Sequence, residues 1–316
     1  MKYDLVLDCG GTKVCAILYD EEFRPVRTCR VGSVRTTSLP PEFIRKNTQE
    51  LIDRMELRGM ELGTVCGVGA GGLVKAIQEV CQVEQVRHYG ELEVGLAAAG
   101  LHEGYMAVCG TGATLGCICD KGRYSVGGYG AIVYDAGSGY WLAREAFAAA
   151  IADSELRGAH TMLTDLIARK FGGTRETFRR AVFALYSVKD TPPITAMTAC
   201  APLVAEAAKA GDPVAYDILV RAGKVLAEQT NALRLLHDLP ESLPATVSGG
   251  VWKGHPVIFQ EYCRVLRENG MTGSFCLPEF EPIVGAILLE YRKKYPQIRE
   301  EEHLRLRELY QDYLFA

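Results

Sequence analysis

Two strand–glycine–strand patterns, about 100 residues apart, constrain the fold of this chain more than any other feature. The first joins Lys2–Leu7 to Val14–Tyr19 through Asp8-Cys9-Gly10-Gly11-Thr12-Lys13. The second joins Tyr105–Cys109 to Thr114–Cys119 through Gly110-Thr111-Gly112. Each pattern predicts a β-hairpin, because short apolar runs are typical of buried strands and glycine tolerates the backbone angles of a tight turn.

The segments that follow the two hairpins repeat one order of elements. Three strands are followed by helix, strand, helix, strand and helix, and the first set is complete by residue 101. The second set comprises a strand at Tyr124–Gly128, a helix from about Ser138, a helical stretch over 155–240 that includes Ile194–Ala210, and strands at Thr246–Val251 and Phe275–Cys276. We therefore predict an α/β protein with a duplicated βββαβαβα topology. The predicted domains are 1–104 and 105–291, with 155–240 as a helical insertion and 292–316 packed on the first domain.

The glycine tips are candidate phosphate sites. Glycine lets the backbone approach a ligand closely, and the N–H groups and the threonine hydroxyl of such a turn can donate to an anion. Asp8 ends the strand beside the first tip and is the candidate ligand for Mg²⁺. A Walker-type loop is not indicated, because no helix follows the first tip. An ordinary hairpin turn is the alternative. The candidate phosphate-binding residues are Gly10, Gly11, Thr12, Lys13, Gly110, Thr111 and Gly112.

The segment after the second hairpin is a candidate substrate pocket. It contains the glycine corner Gly128-Tyr129-Gly130, one lone carboxylate at Asp135, and then an apolar helix from about Ser138. We interpret residues 108–141 as a phosphate clamp followed directly by a polar pocket.

Composition excludes several classes of partner. The net charge is −4 and the pI about 5.9, which provides no electrostatic attraction for nucleic acid or an anionic membrane. Apolar runs fall far short of the roughly 20 residues of a membrane span, and Lys2 leads directly into a strand rather than a signal peptide, so a cytoplasmic protein is expected. The eleven cysteines include no Cys-x-x-Cys and lie mostly in apolar strands. Reduced, buried thiols are the favoured interpretation, with a metal role for Cys117 and Cys119 as the alternative.

Taken in order, the motifs resemble the acetate and sugar kinase–Hsp70–actin superfamily. Within it they are most similar to the N-acetylglucosamine kinases, which share a family with the BadF/BadG/BcrA/BcrD ATPases. The resemblance runs from Asp8 to about Tyr291. The two glycine tips resemble the family's phosphate loops, and 128–141 resembles its sugar-pocket segment. Gly211-Asp212 resembles a signature near the adenine, 248–253 resembles the adenosine loop, and 282–286 the closing helix.

The resemblance implies two RNase H-like, actin-like ATPase domains with an interdomain cleft for ATP, Mg²⁺ and a small-molecule sugar. It also implies nucleotide binding by Gly211, Gly249, Gly250 and Lys253. Phosphoryl transfer depends mainly on positioning and on stabilisation of charge, which two glycine turns and a metal ion near Asp8 can supply. We therefore expect both tips to face one crevice. A homodimer is also expected.

Two carboxylates are candidates for the catalytic base. In the family, an Asp about twenty residues before the threonine of the second phosphate loop accepts the proton of the sugar hydroxyl, and counting back from Thr111 reaches Glu91. Asp135 stands where the family binds a sugar hydroxyl, and it is the second candidate. Arg35 lies near the position of a sugar-contacting Asn. Pointing inward, Arg35 would favour an anionic substrate, and an exposed loop arginine is the favoured alternative.

The predicted function is ATP-dependent phosphorylation of N-acetylglucosamine or a related amino sugar. One alternative is a BadF-type ATPase that activates a partner dehydratase and carries an iron–sulfur cluster at a dimer interface, although the cysteines give no clear match to that arrangement. The other is a sugar- or nucleotide-binding regulator that has lost catalysis. No nucleic-acid-binding module is evident in the chain.

Overall fold

The first sheet contains five strands and includes the first predicted hairpin. The structure is a computed structural model that describes residues 2–36, 39–187 and 191–315. The strand order is β3-β2-β1-β4-β5, with β1 antiparallel to β2 and parallel to β4. The strands are β1 (Tyr3–Cys9), β2 (Lys13–Tyr19), β3 (Pro25–Gly32), β4 (Glu61–Val68) and β5 (Gln82–Tyr89).

The second sheet repeats this arrangement. Its order is β8-β7-β6-β9, and β6 is antiparallel to β7 and parallel to β9. The strands are β6 (Gly104–Cys109), β7 (Ala113–Cys119), β8 (Gly122–Gly127) and β9 (Ala245–Ser248). The strand predicted at Phe275–Cys276 is reduced to a single parallel bridge between Phe275 and Ala245. Pro278 follows closely and has no N–H with which to extend the ladder.

Twelve α-helices lie in the described residues. They are α1 (Pro41–Arg54), α2 (Gly71–Gln78), α3 (Glu91–Ala98), α4 (Gly139–Ser154), α5 (Leu163–Lys170), α6 (Phe178–Phe183), α7 (Pro193–Thr198), α8 (Ala201–Lys209), α9 (Pro213–Leu236), α10 (Pro256–Glu268), α11 (Pro282–Lys294) and α12 (Glu300–Leu309). Short 3₁₀ turns occupy 184–187, 250–253 and 311–313. The single helix predicted at Ile194–Ala210 is wrong, because α7 ends at Thr198 and α8 restarts with Pro202 in its first turn. Proline fits a first turn but breaks a helix interior.

The first sheet is covered on both faces, which explains its apolar strands. Leu5 and Leu7 of β1 face a core that includes Leu51 of α1 and Leu73 of α2. Val6, between them, faces the opposite core, which α11 and residues 306–313 complete. The alternation of side chains along a strand therefore places Asp8 on the α11 side of the sheet, together with Val6.

The last helix of each half packs against the sheet of the other half. From α3, Leu92 and Leu96 pack against Met106 of the second sheet. From α11, Ile283 and Ile287 pack against β1 and β2 of the first sheet. The two helices cross in close contact. The predicted α/β fold with two RNase H-like units is confirmed, and the division at residue 104 stays a prediction.

The crossing of α3 and α11 is possible because of glycine. A Cβ atom built on Gly285 would lie 1.8 Å from the carbonyl oxygen of Val94, so no other residue fits without separating the helices. Within the described residues, no helix is long and apolar enough to cross a membrane.

Candidate active site

The two glycine tips face each other across the space between the sheets. In the first tip, the Gly10 N–H donates to the Lys13 carbonyl at 2.9 Å, and in the second the Gly110 N–H donates to Gly112 at 2.9 Å. A Cβ atom on Gly11 would lie 3.2 Å from Cβ of Thr111 and 3.3 Å from its hydroxyl oxygen. The two tips are therefore neighbours, as a shared crevice requires, and the crevice itself stays a prediction.

The second tip is fixed by the start of α4. The N–H groups of Gly139 and Tyr140 donate to the carbonyls of Gly110 and Thr111, at 2.7 and 3.2 Å. A Cβ atom on Gly110 would meet nothing within 4 Å. The tip is thus held rigidly from behind and opens onto free space in front, as a site for close backbone contact with a ligand requires.

The adenosine-loop candidates lie directly behind the second tip. Gly249 has φ of +100°, and a Cβ atom on it would lie 2.3 Å from the Cys109 carbonyl oxygen. Only glycine allows this approach. Gly250 borders open space, since a Cβ atom there would meet nothing within 4 Å. Trp252 anchors the segment by donating its indole N–H to the Ala107 carbonyl at 3.1 Å.

Lys253 and Gly211 occupy structural positions in the free protein. The Lys253 ammonium pairs with Glu281 at 2.9 Å. Gly211, with φ of +91°, joins α8 to α9 and precedes Asp212, the N-cap of α9. The Asp212 carboxylate accepts hydrogen bonds from the N–H groups of Val214 and Ala215 and from the Thr161 hydroxyl. Burial would raise the pKa of Asp212, but these hydrogen bonds outweigh it and lower that pKa. Asp212 is therefore a helix cap.

The carboxylate of Asp8 is available to bind an external ligand. It is partly buried, and its carboxylate accepts no hydrogen bond from the residues that the structure describes. Burial, followed by repulsion from Glu91, raises its pKa to about 6, against weaker attraction from Arg35 and Lys13. A hard divalent cation would satisfy this carboxylate. No cluster of three or more His, Cys, Asp or Glu side chains that could hold a metal exists among the described residues, so Mg²⁺ would need phosphate and water ligands as well.

Arg35 and Glu91 form an ion pair at the cleft end of the first sheet. Glu91 is the first residue of α3, and Arg35 follows β3. The Arg35 Nε–H also donates to the Cys9 carbonyl at 2.9 Å. Arg35 therefore points inward, and the exposed-loop alternative is wrong. Its role in substrate binding stays a prediction.

Asp135 lies on the other side of the cleft, against the second tip. The residue is 7% exposed, and its Oδ1 accepts the Gly130 N–H at 3.2 Å. A Cβ atom on Gly112 would lie 2.4 Å from Oδ2. Asp135 thus ties the glycine corner to the phosphate turn, and it shares no hydrogen bond with Glu91. Gly128 and Gly130 have φ of +72° and +92°, and the Tyr129 side chain is largely exposed.

Two residues of the site were not found from the sequence. Ser33 is buried, and its hydroxyl donates to the Gly10 carbonyl at 2.7 Å, so it supports the first tip. Glu281 pairs with Lys253 and, at 3.5 Å, with Arg30 across the two halves. The only sequence signals are that Ser33 directly follows the strand after the first hairpin and that Glu281 immediately precedes a helix-starting proline.

The cysteines in the described residues are all unpaired, and nine of the eleven are buried. Burial raises the pKa of Cys117 to about 12 and that of Cys200 to about 11, so both remain thiols at neutral pH. Cys109 lies opposite Ala113, four residues along β7 from Cys117, and its thiol donates to the Gly137 carbonyl. The interpretation as buried, reduced thiols fits this arrangement, and no observation favours the iron–sulfur alternative.

Comparison with known proteins places the chain among nucleotide-dependent enzymes. It is 24% identical over 314 residues to an N-acetyl-D-glucosamine kinase of Dictyostelium discoideum, with 91% of this chain and 97% of the relative covered. It is 25% identical over 308 residues to an N-acetylmuramic acid/N-acetylglucosamine kinase of Clostridium acetobutylicum, covering 92% and 98%.

Solved structures share the fold. A candidate N-acetylglucosamine kinase from Chromobacterium violaceum matches with a TM-score of 0.68 at 21% identity, covering 92% of this chain and 99% of that one. A ROK family glucokinase from Streptomyces griseus matches with a TM-score of 0.57 at 18% identity, covering 91% and 98%. A family model matches residues 7–289, which include both glycine tips and the start of α11. The chain therefore belongs to the BadF/BadG/BcrA/BcrD ATPase family, and membership of this family implies the use of ATP.

Proposed function

We propose that this protein is an ATP-dependent sugar kinase whose acceptor is N-acetylglucosamine or a related amino sugar. One observation carries the proposal. Gly11 and Thr111, at the tips of two hairpins from the two halves, are neighbours, since a Cβ atom on Gly11 would lie 3.2 Å from Cβ of Thr111. Carboxylates lie on both sides of this pair. The named kinase relatives, which match this chain nearly end to end, support the same acceptor class.

In the proposed reaction, the γ-phosphoryl group of ATP moves to a hydroxyl of the sugar, the hydroxyl proton moves to a carboxylate, and ADP leaves. Mg²⁺ held by Asp8 would neutralise charge on the phosphates. The two glycine tips bind the phosphates through backbone N–H groups, and the rigid support of Gly110 by α4 keeps those donors in place. Closure of the halves would exclude water that could otherwise accept the phosphoryl group.

Glu91 is the preferred base, and Asp135 the preferred binding group. Both carboxylates have a partner in the free protein, but the side chain of Glu91 is 40% exposed beside Arg35, whereas Asp135 is buried and accepts the Gly130 N–H. A base must be able to move within hydrogen-bond reach of the acceptor hydroxyl. Glu91 meets this requirement better than Asp135.

The test is release of ADP across a panel of hexoses, N-acylated hexosamines and N-acetylmuramic acid. We expect one amino sugar to raise ADP release well above the rate with ATP alone. Glu91→Gln should lower kcat by about 10²- to 10⁴-fold, the usual contribution of a general base. The matched control is Glu42→Gln, which also removes a carboxylate from the first turn of a helix but in exposed α1. ADP release that no acceptor changes would refute the proposal.

The same panel separates the remaining alternatives. Tight binding of ATP or sugar without turnover would favour a regulator. Iron in anaerobically purified protein would favour a dehydratase activator. The homodimer, the cytoplasmic location and Mg²⁺ stay predictions, to be tested by the solution mass, the cellular distribution and the metal dependence of turnover.

A further inference from the structure

The ion pair between Arg35 and Glu91 occupies the candidate base of the proposed reaction. A carboxylate engaged by a guanidinium has one oxygen committed, and it must release that contact before accepting a proton from a sugar hydroxyl. Because both side chains are only partly buried, at 34% and 40% exposure, the pair is accessible from the cleft. In the free protein, the candidate base Glu91 is therefore paired with Arg35.

Arg35 is held in place independently of Glu91. Its Nε–H donates to the Cys9 carbonyl at 2.9 Å, and its backbone N–H donates to the Ser33 hydroxyl at 3.2 Å. Ser33 in turn donates to Gly10 of the first tip at 2.7 Å. The guanidinium would thus remain at the cleft end of β1 if Glu91 turned away.

The guanidinium has donors left for a second anion. Five N–H groups are available, of which one reaches Cys9 and another Glu91. Nη1 has no hydrogen-bond partner among the described residues. An incoming carboxylate could accept from Nη1 and Nη2 together in the bidentate geometry that arginine favours, and it would displace Glu91 from Nη2.

We propose that Arg35 recognises acceptors that bear a carboxylate and that its pairing with the acceptor controls the position of Glu91. When such an acceptor binds, its carboxylate pairs with Arg35 in place of Glu91, and Glu91 is free to face the acceptor hydroxyl. A neutral acceptor leaves Glu91 paired. This inference rests on the proposed kinase function and deepens it, because it names the acceptor class and the residue that recognises it.

The mechanism predicts an effect on kcat as well as on KM. Binding of the carboxylate alone would lower KM, whereas release of the base also raises the rate of the chemical step. A hydrogen-bonded charge pair of this kind typically changes binding or rate by about ten- to a hundredfold. We expect a preference of that size for the acid form of an acceptor over its neutral form.

The experiment compares three acceptors with the full-length protein. N-acetylmuramic acid supplies a carboxylate, its methyl ester has nearly the same shape without the charge, and N-acetylglucosamine lacks the side group. For the wild type we expect higher kcat and lower KM for the acid than for the ester. Arg35→Gln should abolish the difference between acid and ester: the KM of the acid should rise to that of the ester, and the kcat of the ester should rise towards that of the acid, because Glu91 is no longer paired. Arg35→Lys, which keeps the positive charge but not the paired N–H donors of the guanidinium, should retain part of the preference.

Two controls keep the test decisive. Arg58→Gln removes an exposed arginine that pairs with Asp53, and it should change neither kcat nor the preference. The shift in melting temperature with each acceptor measures binding without turnover, so a preference for the acid can be seen even if no acceptor is phosphorylated. In that case the kinase function fails and recognition by Arg35 survives.

Other outcomes would overturn the inference. Equal turnover and equal binding of acid and ester by the wild type would show that Arg35 does not read the acceptor charge. An equal loss of kcat for all three acceptors in Arg35→Gln would indicate instead that Arg35 acts on the transferring phosphoryl group.

Discussion

Replacement of Gly285 by alanine tests the contact that joins the two halves. A Cβ atom at this position would lie 1.8 Å from the Val94 carbonyl oxygen, whereas carbon and oxygen atoms in packed helices approach to about 3.3 Å. Helices α3 and α11 would have to separate by about 1.5 Å, since backbone atoms cannot move aside as a flexible side chain does. Overpacking of a rigid core costs about 1–3 kcal/mol, and this clash belongs at the upper end.

The net loss of stability is the cost of the clash minus the gain in helix propensity. Alanine is favoured over glycine in a helix by about 1 kcal/mol, which offsets part of the clash. We therefore expect Gly285→Ala to lower the free energy of unfolding by about 2 kcal/mol, and the melting temperature by about 3 °C. The activity should fall as well, because the crossing sets the distance between the two glycine tips.

The matched control is Gly72→Ala in α2. A Cβ atom there would meet nothing within 4 Å, so this variant should be as stable as the wild type or slightly more so. Thermal unfolding followed by circular dichroism, with both variants and the wild type at one concentration, measures the difference. A Gly285→Ala protein that melts together with the Gly72→Ala control would refute the close helix crossing.

Three further predictions concern the site and the pH dependence of stability. Gly110→Ala should fold normally, because its Cβ enters open space, yet raise the KM for ATP at least about tenfold, and an unchanged KM would remove this tip from the nucleotide site. Asp8 has a folded-state pKa raised to about 6, so its contribution to stability is present below about pH 4 and is lost as the pH rises through 6. Asp8→Asn should therefore stabilise the metal-free protein at pH 8 by about 1–3 kcal/mol in urea unfolding while lowering activity, and unchanged stability would contradict the buried, charged state. Burial would raise the pKa of Asp153, but hydrogen bonds from Thr164 and Arg175 lower it to about 2, so its contribution is present above about pH 4 and is lost as the pH falls towards 2. Asp153→Asn should remove about 2 kcal/mol of that acid dependence. Parallel curves of stability against pH for the wild type and the variant between pH 5 and 2 would exclude this role of the Asp153 carboxylate.

The repeated hairpins could be predicted because their signals are local. Alternating apolar residues and a glycine corner specify strand, turn and strand without help from distant residues, and Asp8 follows from its place at the end of β1. Such features depend on residues only a few positions apart.

The contacts that complete the site could not be predicted, because they join distant segments. Arg35 meets Glu91 across 56 residues, and the direction of a loop side chain depends on the packing beneath it. Glu281 meets Lys253 only after α11 has docked on the first sheet. The break between α7 and α8 was missed for another reason, since apolar periodicity continues through Pro202 and hides the interruption.

The reciprocal packing of α3 and α11 determines how the chain can be made and divided. A fragment ending at residue 104 would leave Val6, Ile17 and Cys66 bare on one side of its sheet, because Ile283 and its neighbours cover them. During synthesis the amino-terminal sheet stays half uncovered until the ribosome has passed Tyr291, almost the whole length of the chain. The amino-terminal half is therefore not expected to be soluble as a separate fragment.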